Sequence, residues 1–408
     1  MSVAALVRRA GFRDLLIGQT VSGLGDWMGT VAFMALVRAL TDSPTAVAGV
    51  LVLRLLPAAI GAPLAARAVH RWDRRRTMLA MDAFRAVVIA LVPLIRSIAW
   101  VYACAFLIEA ASLVFLPPRD SAIPDLVEDE QLPLANGLVL GSSFGTLPLG
   151  AALFAAVAAL PFVDVLDRPL ALVFWIDAAT FVVSFVFIAR LTLPPLMDRD
   201  VAAEDTRFRE AFRIPLVRAV MPATAAVALG LGALFSLGIV FVQDVLHASE
   251  AEFGALIALF GVGAGAGLVV LQRRHGRHPI LETRLGVAAI GAIVAAFSLA
   301  TSVWLAYAGA IAFGAAAAFT LASGMGAIQS SLDGHQRILA FAAFHAVIRI
   351  ALSLAAIGAG IAGDVLHDVK WPVVGTLEPS RVVLMSSGLL VLVVSMFVRA
   401  GIEPEVAK

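Results

Sequence analysis

Apolar runs of about twenty residues recur along this chain, and no other feature constrains its fold as much. They lie at about 14–38, 45–66, 77–95, 98–117, 135–160 and 170–192, and again at 217–243, 252–271, 279–300, 303–328, 338–362 and 382–399. A helix rises about 1.5 Å per residue, so about 20 apolar residues cross the hydrocarbon layer of a bilayer. Two sets of six runs predict an all-α polytopic membrane protein with twelve transmembrane helices in two pseudo-symmetric six-helix bundles. Of the 408 residues, 61% are hydrophobic and 14% charged, against about 45–50% and 25% in soluble domains. This composition excludes a secreted disulfide scaffold, a nucleic-acid binder and a soluble metalloenzyme. The lone cysteine, Cys104, excludes an intrachain disulfide and a multi-cysteine zinc site. Met1 to Asp14 has arginines but no apolar core, so no cleavable signal peptide is expected.

A polar break from Pro194 to Pro215 separates the two sets. The expected organisation is an N-terminal bundle at 1–192, a cytoplasmic linker at 193–216 and a C-terminal bundle at 217–408. Phe208, Phe212 and Ile214 form a weak apolar stripe, which predicts a short linker helix lying on the membrane surface. The net charge of +1 implies no bulk attraction to an anionic partner. The placement of the basic residues is more informative. With the N-terminus inside, 19 Lys and Arg fall in inner segments, and only Arg96, Arg168, Lys370 and Arg381 fall outside. The positive-inside rule then puts both termini in the cytoplasm. The largest basic clusters, 67–76 and 273–284, follow the second run of each half. Such an internal repeat is the layout of a transporter whose halves rock about a central cavity.

Several stretches resemble the major facilitator superfamily. PLAARAVHRWDRRR at 63–76 is similar to its signature loop, whose Gly, Asp and Arg residues lock the cytoplasmic helix ends together. Arg71, Asp73, Arg74 and Arg75 match, whereas Ala66 stands where Gly is usual and His70 where Asp is usual. FLPPRDSAIPDLV at 115–127, followed by LANG at 134–137, is similar to the fourth-to-fifth helix connection of exporter-type facilitators of the drug and siderophore efflux kind. GDW at 25–27, LRLLP at 53–57, FGTLP at 144–148 and VIR at 347–349 resemble the transporter portion of actinobacterial chains that also carry a thymidylate kinase. The likeness covers nearly the whole chain. It implies alternating access, with the 67–76 and 273–284 loops closing the inside. No Gly-Lys-[Ser/Thr] phosphate loop is present, so an ion gradient, the membrane potential or the cargo gradient must drive transport. No cofactor, metal or enzymatic activity is expected.

Charges at membrane depth cost at least about 2.5–3.5 kcal/mol each and so mark candidate sites. Counting from the inner end places Asp26 and Arg54 at one depth, and Arg85 and Glu109 at another. Two pairs are therefore expected, Asp26–Arg54 and Arg85–Glu109, with Asp82 one turn from Arg85. Asp26 and Arg54, nearer the midplane, are candidates for proton coupling or substrate binding. Asp82, Arg85 and Glu109, nearer the basic inner loop, are candidates for a gate, though both pairs are also readable as permanent structural locks. Asp177 has no obvious partner; it is a further candidate for proton coupling or substrate binding, facing a water-filled cavity or neutral, and the alternative is a structural role. His345 and Arg349, four apart, share one helix face and can meet an anionic cargo or bond helix carbonyls.

Trp27, Phe33, Phe144, Phe235, Phe319 and Phe344 are candidate cavity-lining aromatics, and the alternative for each is a lipid-facing position. The glycines of 261–267 read as close helix packing, because no strand precedes them to build a phosphate cradle. Gly137, Gly141, Gly145, Pro148 and Gly150 loosely fit an exporter's Gly-Pro helix. The resulting expectation is a monomeric antiporter in the bacterial plasma (inner) membrane, a secondary transporter exporting an amphipathic small molecule in exchange for protons. A lipid or lysolipid transporter, an importer and a non-transporting membrane sensor or anchor are the rivals.

Overall fold

Helix follows helix in the computed structural model, which describes residues 6–54, 73–194 and 208–397 apart from 129–130, 133, 136–137, 140–141, 143–144, 165–167, 169, 275–278, 333, 367–368 and 372–374. The first six are α1 Ala10–Leu40, α2 Pro44–Arg54, α3 Arg74–Leu91, α4 Ile98–Leu126, α5 Leu147–Ala158 and α6 Ala171–Ala189. The second six are α7 Pro215–Val240, α8 Glu250–Arg274, α9 Pro279–Phe297, α10 Val303–Ser331, α11 Gly334–Val365 and α12 Pro379–Phe397. Among the described residues nine of these are long and apolar enough to span a bilayer; α2 and α5 are shorter apolar helices, and α9 is the twelfth. The order is that of the apolar runs. Between α11 and α12 two short strands, β1 Val369–Trp371 and β2 Gly375–Leu377, pair antiparallel with Lys370 opposite Thr376.

The chain forms two compact units, one of residues 1–42 and 53–201, the other of residues 43–52 and 202–408. In the first unit α1 is the hub, buried along most of its length against α5 and α6. Phe12, Leu15, Met78, Phe115, Ile123 and Ile188 form a core at one end. Phe33, expected to line a cavity, is fully buried edge-on to Phe174 at 5.3 Å and belongs to the packing instead.

α4 runs nine residues beyond its apolar stretch, through Pro117, Pro118 and Pro124. Proline removes a helical hydrogen bond, and neighbouring groups hold this end in place. Arg74 donates to the Ser121 carbonyl at 2.6 Å and pairs with Asp125 at 2.6 Å. Arg119, one of the 19 basic residues assigned to inner segments, is consequently helical and buried, its Nη1 donating to Gln19 Oε1 at 3.1 Å.

In the second unit α7 packs with α11, α8 with α10, and α9 with α12. The linker helix is a single turn, Phe208–Ala211, and it does not lie free on a surface. Ala211 is fully buried, and Phe212 and Ile214 pack on a core that includes Leu216, Val217 and Phe344. Phe212 and Ile214 of the apolar stripe are thus partly covered by protein. Phe344, 2% exposed, is core and not cavity lining.

Residues 43–52 join the second unit through the end of α11. The Asp364 carboxylate accepts from Ser43 Oγ at 2.8 Å and from the Thr45 backbone N–H at 3.2 Å. Ser43 Oγ in turn accepts from the Ala46 N–H at 3.2 Å. Two of the unpaired N–H groups that begin α2 are thereby satisfied, one of them by a residue far away in sequence. Asp364→Ala is expected to cost about 0.5–2 kcal/mol, as lost helix caps do. Amide hydrogen exchange should show faster opening of residues 43–52 in this variant, with α8 and α10 unchanged.

Candidate functional site

Arginines close the ends of the first unit by bonding the carbonyls that helix termini leave unpaired. Asp73 N-caps α3, its carboxylate accepting from the Arg76 N–H at 2.7 Å. This turns the next arginines toward the ends of α4 and α6. Arg74, 5% exposed, donates to the carbonyls of Ser121 and Pro194, and Arg75 donates to that of Ala189. At other helix ends Arg168 donates to the Leu94 carbonyl at 2.6 Å, and Arg381 to those of Ser298 and Ala300, both at 2.8 Å. Of the residues expected to gate, Arg71 lies outside the described residues, as do Ala66 and His70.

Between these ends the first unit holds a cluster drawn from five helices: Asp26 of α1, Arg54 of α2, Asp82 and Arg85 of α3, Glu109 of α4 and Asp177 of α6. Asp26 and Arg54 meet at 4.0 Å, the first of the two expected pairs. The second expected pair is different. Arg85 pairs with Asp82, three residues back on its own helix, while Glu109 faces Arg54 at 3.9 Å. Equal depth does not ensure equal azimuth, and a partner at i−3 is already on the same face. Arg54 therefore stands between two carboxylates, with side-chain exposures of 13% for Arg54, 29% for Asp26 and 26% for Glu109.

Arg85 is more enclosed. Its guanidinium lies between the rings of Phe115 and Phe181, at 4.5 and 4.4 Å from their centroids, and Nη1 donates to Ser112 Oγ at 3.3 Å. Two aromatic faces and one carboxylate replace its hydration. Neither aromatic had been singled out in the sequence; spacing within one helix gives no sign of a ring contributed by another. Asp177 is wholly buried. Its Oδ1 is 3.5 Å from Thr180 Oγ, and Oδ2 has no hydrogen-bond partner.

The second unit shows no such cluster around its candidates among the described residues. Arg349 is exposed on α11, and the side chain of His345 and the whole of Phe144 lie outside the described residues. Phe235 lines an apolar cavity between α7, α8, α9 and α10, with Phe253, Phe260, Phe297 and Phe313. Trp27 is half-buried on α1, where it packs near Gly150 of α5, and Phe319 is half-buried on α10.

Twelve helices of this kind, with ionisable side chains buried among them, define a multi-span membrane protein. The chain belongs to the Major Facilitator Superfamily, whose family model matches residues 15–273. An uncharacterized MFS-type transporter of Bacillus subtilis (strain 168), YfiS, is 24% identical over 296 residues, 69% of this chain and 68% of that one. Among solved structures, the nucleoside transporter NupG superposes with a TM-score of 0.76 at 9% identity, covering 95% of this chain and 98% of its own. A bacterial homologue of the human lysosomal transporter Spinster, inward-facing and unoccupied, gives 0.73 at 15% identity, covering 98% and 96%. At these identities the likeness is one of fold.

Proposed function

We propose that the protein is a proton-coupled secondary transporter of a bacterial plasma membrane, with both termini cytoplasmic, exporting an amphipathic small molecule by alternating access. The observation that carries proton coupling is the charge balance of the first unit. Four carboxyl groups, Asp26, Asp82, Glu109 and Asp177, share two guanidiniums, Arg54 and Arg85. Surplus negative charge in a low-dielectric interior is neutralised most simply by protons. Asp26 and Glu109 are the partly exposed members and compete for one arginine. A change in access that moves Arg54 toward one of them alters the proton affinity of the other. The resemblance at 115–127 to exporter-type facilitators supports outward transport, and the distribution of arginines supports the cytoplasmic termini.

The test is uptake of a fluorescent amphipathic dye into everted vesicles, with and without an imposed pH gradient. The wild type should accelerate under the gradient, and Asp26→Asn should lose most of that acceleration while keeping downhill movement. An Asp26→Asn protein that responds to the gradient as fully as wild type removes Asp26 from the coupling mechanism.

A further inference from the structure

Among the described mid-span carboxyls of the first unit, Asp177 is the one with no arginine of its own. Asp82 has Arg85, and Asp26 and Glu109 divide Arg54. The Asp177 carboxyl instead lies in a notch on α1 made by two glycines one turn apart. A Cβ at Gly25 would sit 2.4 Å from Oδ1, and a Cβ at Gly29 would sit 2.2 Å from Oδ2. No other residue type leaves that space, so the carboxyl is held against helix backbone with no exposure and no donor for Oδ2.

Among the described residues, charged groups on three neighbouring helices act on Asp177. α1 brings Asp26, α2 brings Arg54 and α3 brings Arg85, each close enough to act electrostatically. Asp82 of α3 is bound to Arg85, Glu109 of α4 faces Arg54, and α5 carries no ionisable residue. The Asp82–Arg85 pair is neutral, while Asp26, Glu109 and Arg54 together already sum to one surplus negative charge. Ionised Asp177 would add a second surplus charge, in the most enclosed place of all.

We infer that Asp177 is a proton-binding site, occupied in this conformation, and that its proton, a second one beside that for which Asp26 and Glu109 compete, exchanges with water as Arg54 moves. Proton entry forms an O–H bond at the carboxyl and removes its charge; release leaves the carboxylate and returns the proton to solvent. Arg54 is suited to control this exchange. It ends the described part of α2 and stands between Asp26 and Glu109, so movement of α2 changes the positive charge that reaches Asp177. This inference rests on the proton-coupled reading above but is open to a separate measurement.

Infrared spectroscopy of the purified protein in lipid nanodiscs needs no substrate. The wild type at neutral pH should show the carbonyl stretch of a protonated carboxyl that is lost in Asp177→Asn. Gly29→Ala, which crowds Oδ2, should shift the frequency of that band and so assigns it even if the Asn variant folds poorly. The exchange is tested by fixing residues 43–52. In a Cys104→Ala background, Pro44→Cys with Gly363→Cys brings two thiols within reach, because a Cβ at Gly363 lies 3.3 Å from that of Pro44. The oxidised protein should hold the band to higher pH than the reduced protein.

Absence of a band that depends on Asp177 overturns the site and leaves proton coupling through Asp26 standing. A band indifferent to the disulfide overturns the exchange. A wild type without any response to the pH gradient in vesicles overturns proton coupling as a whole, whatever the spectrum shows.

Discussion

Arg85→Met is expected to yield little folded protein, because it strands a buried carboxylate without its counter-charge. Asp82 is fully buried and Arg85 is 2% exposed, so neither group has water to fall back on. Removing one partner of a buried pair costs about 3–5 kcal/mol, whereas replacing both with apolar groups of similar volume is often neutral or stabilising. The loss also includes two ring contacts, since Phe115 and Phe181 close on the guanidinium from either side. Against a total stability of about 5–15 kcal/mol that is a large fraction. Arg85→Met combined with Asp82→Leu should recover most of the loss, as methionine fills the slot between the rings and leucine removes the stranded charge. The measurement is the thermal midpoint and monodisperse yield of each variant in one detergent. If the single variant melts with the wild type, the pair is not a structural lock. If the double variant remains as unstable as the single, the cation between the rings matters more than the charge balance.

The same pair shows how far the sequence could be read. Hydropathy counts residues along the chain, so it revealed how many spans there are, in what order, and which charges share a depth. Asp26 and Arg54 were found by that count because the partners lie on different helices at equal height. Glu109 was assigned the wrong arginine because depth is one coordinate and azimuth is another. The apolar run ends at about 117 and so gave no sign that α4 continues to Leu126 through three prolines; the arginine at position 74 that bonds its end belongs to a different element. Residues 43–52 were grouped with the first bundle by chain order, and only the carboxylate of Asp364 shows where the start of α2 is capped. The site was legible as a set of charges at depth. Its two glycines at positions 25 and 29 were not, because a glycine that makes room for a carboxyl looks the same in sequence as one that makes room for a helix.

That ambiguity can be tested on α8, where the run of glycines was read as packing. A Cβ at Gly263 would lie 2.0 Å from the Ile311 carbonyl oxygen, and one at Gly267 would lie 2.2 Å from that of Ala315. From the other side a Cβ at Gly314 would meet the Phe260 carbonyl at 1.9 Å. α8 and α10 therefore touch backbone to backbone, as small residues four apart permit between membrane helices. Gly265 is part of the same sequence run but faces open space, with nothing within 4 Å of its Cβ position. Gly263→Ala should destabilise by at least the 1–3 kcal/mol typical of overpacking, because the atoms in the way are carbonyls and cannot rotate aside. Gly265→Ala removes the entropic cost of a helical glycine and should be neutral or stabilising by up to about 1 kcal/mol. Thermal unfolding of the two variants side by side reads this difference directly. Equal midpoints would mean that α8 and α10 stand farther apart in the membrane than a single carbon atom can detect, and the close crossing of the second unit would have to be abandoned.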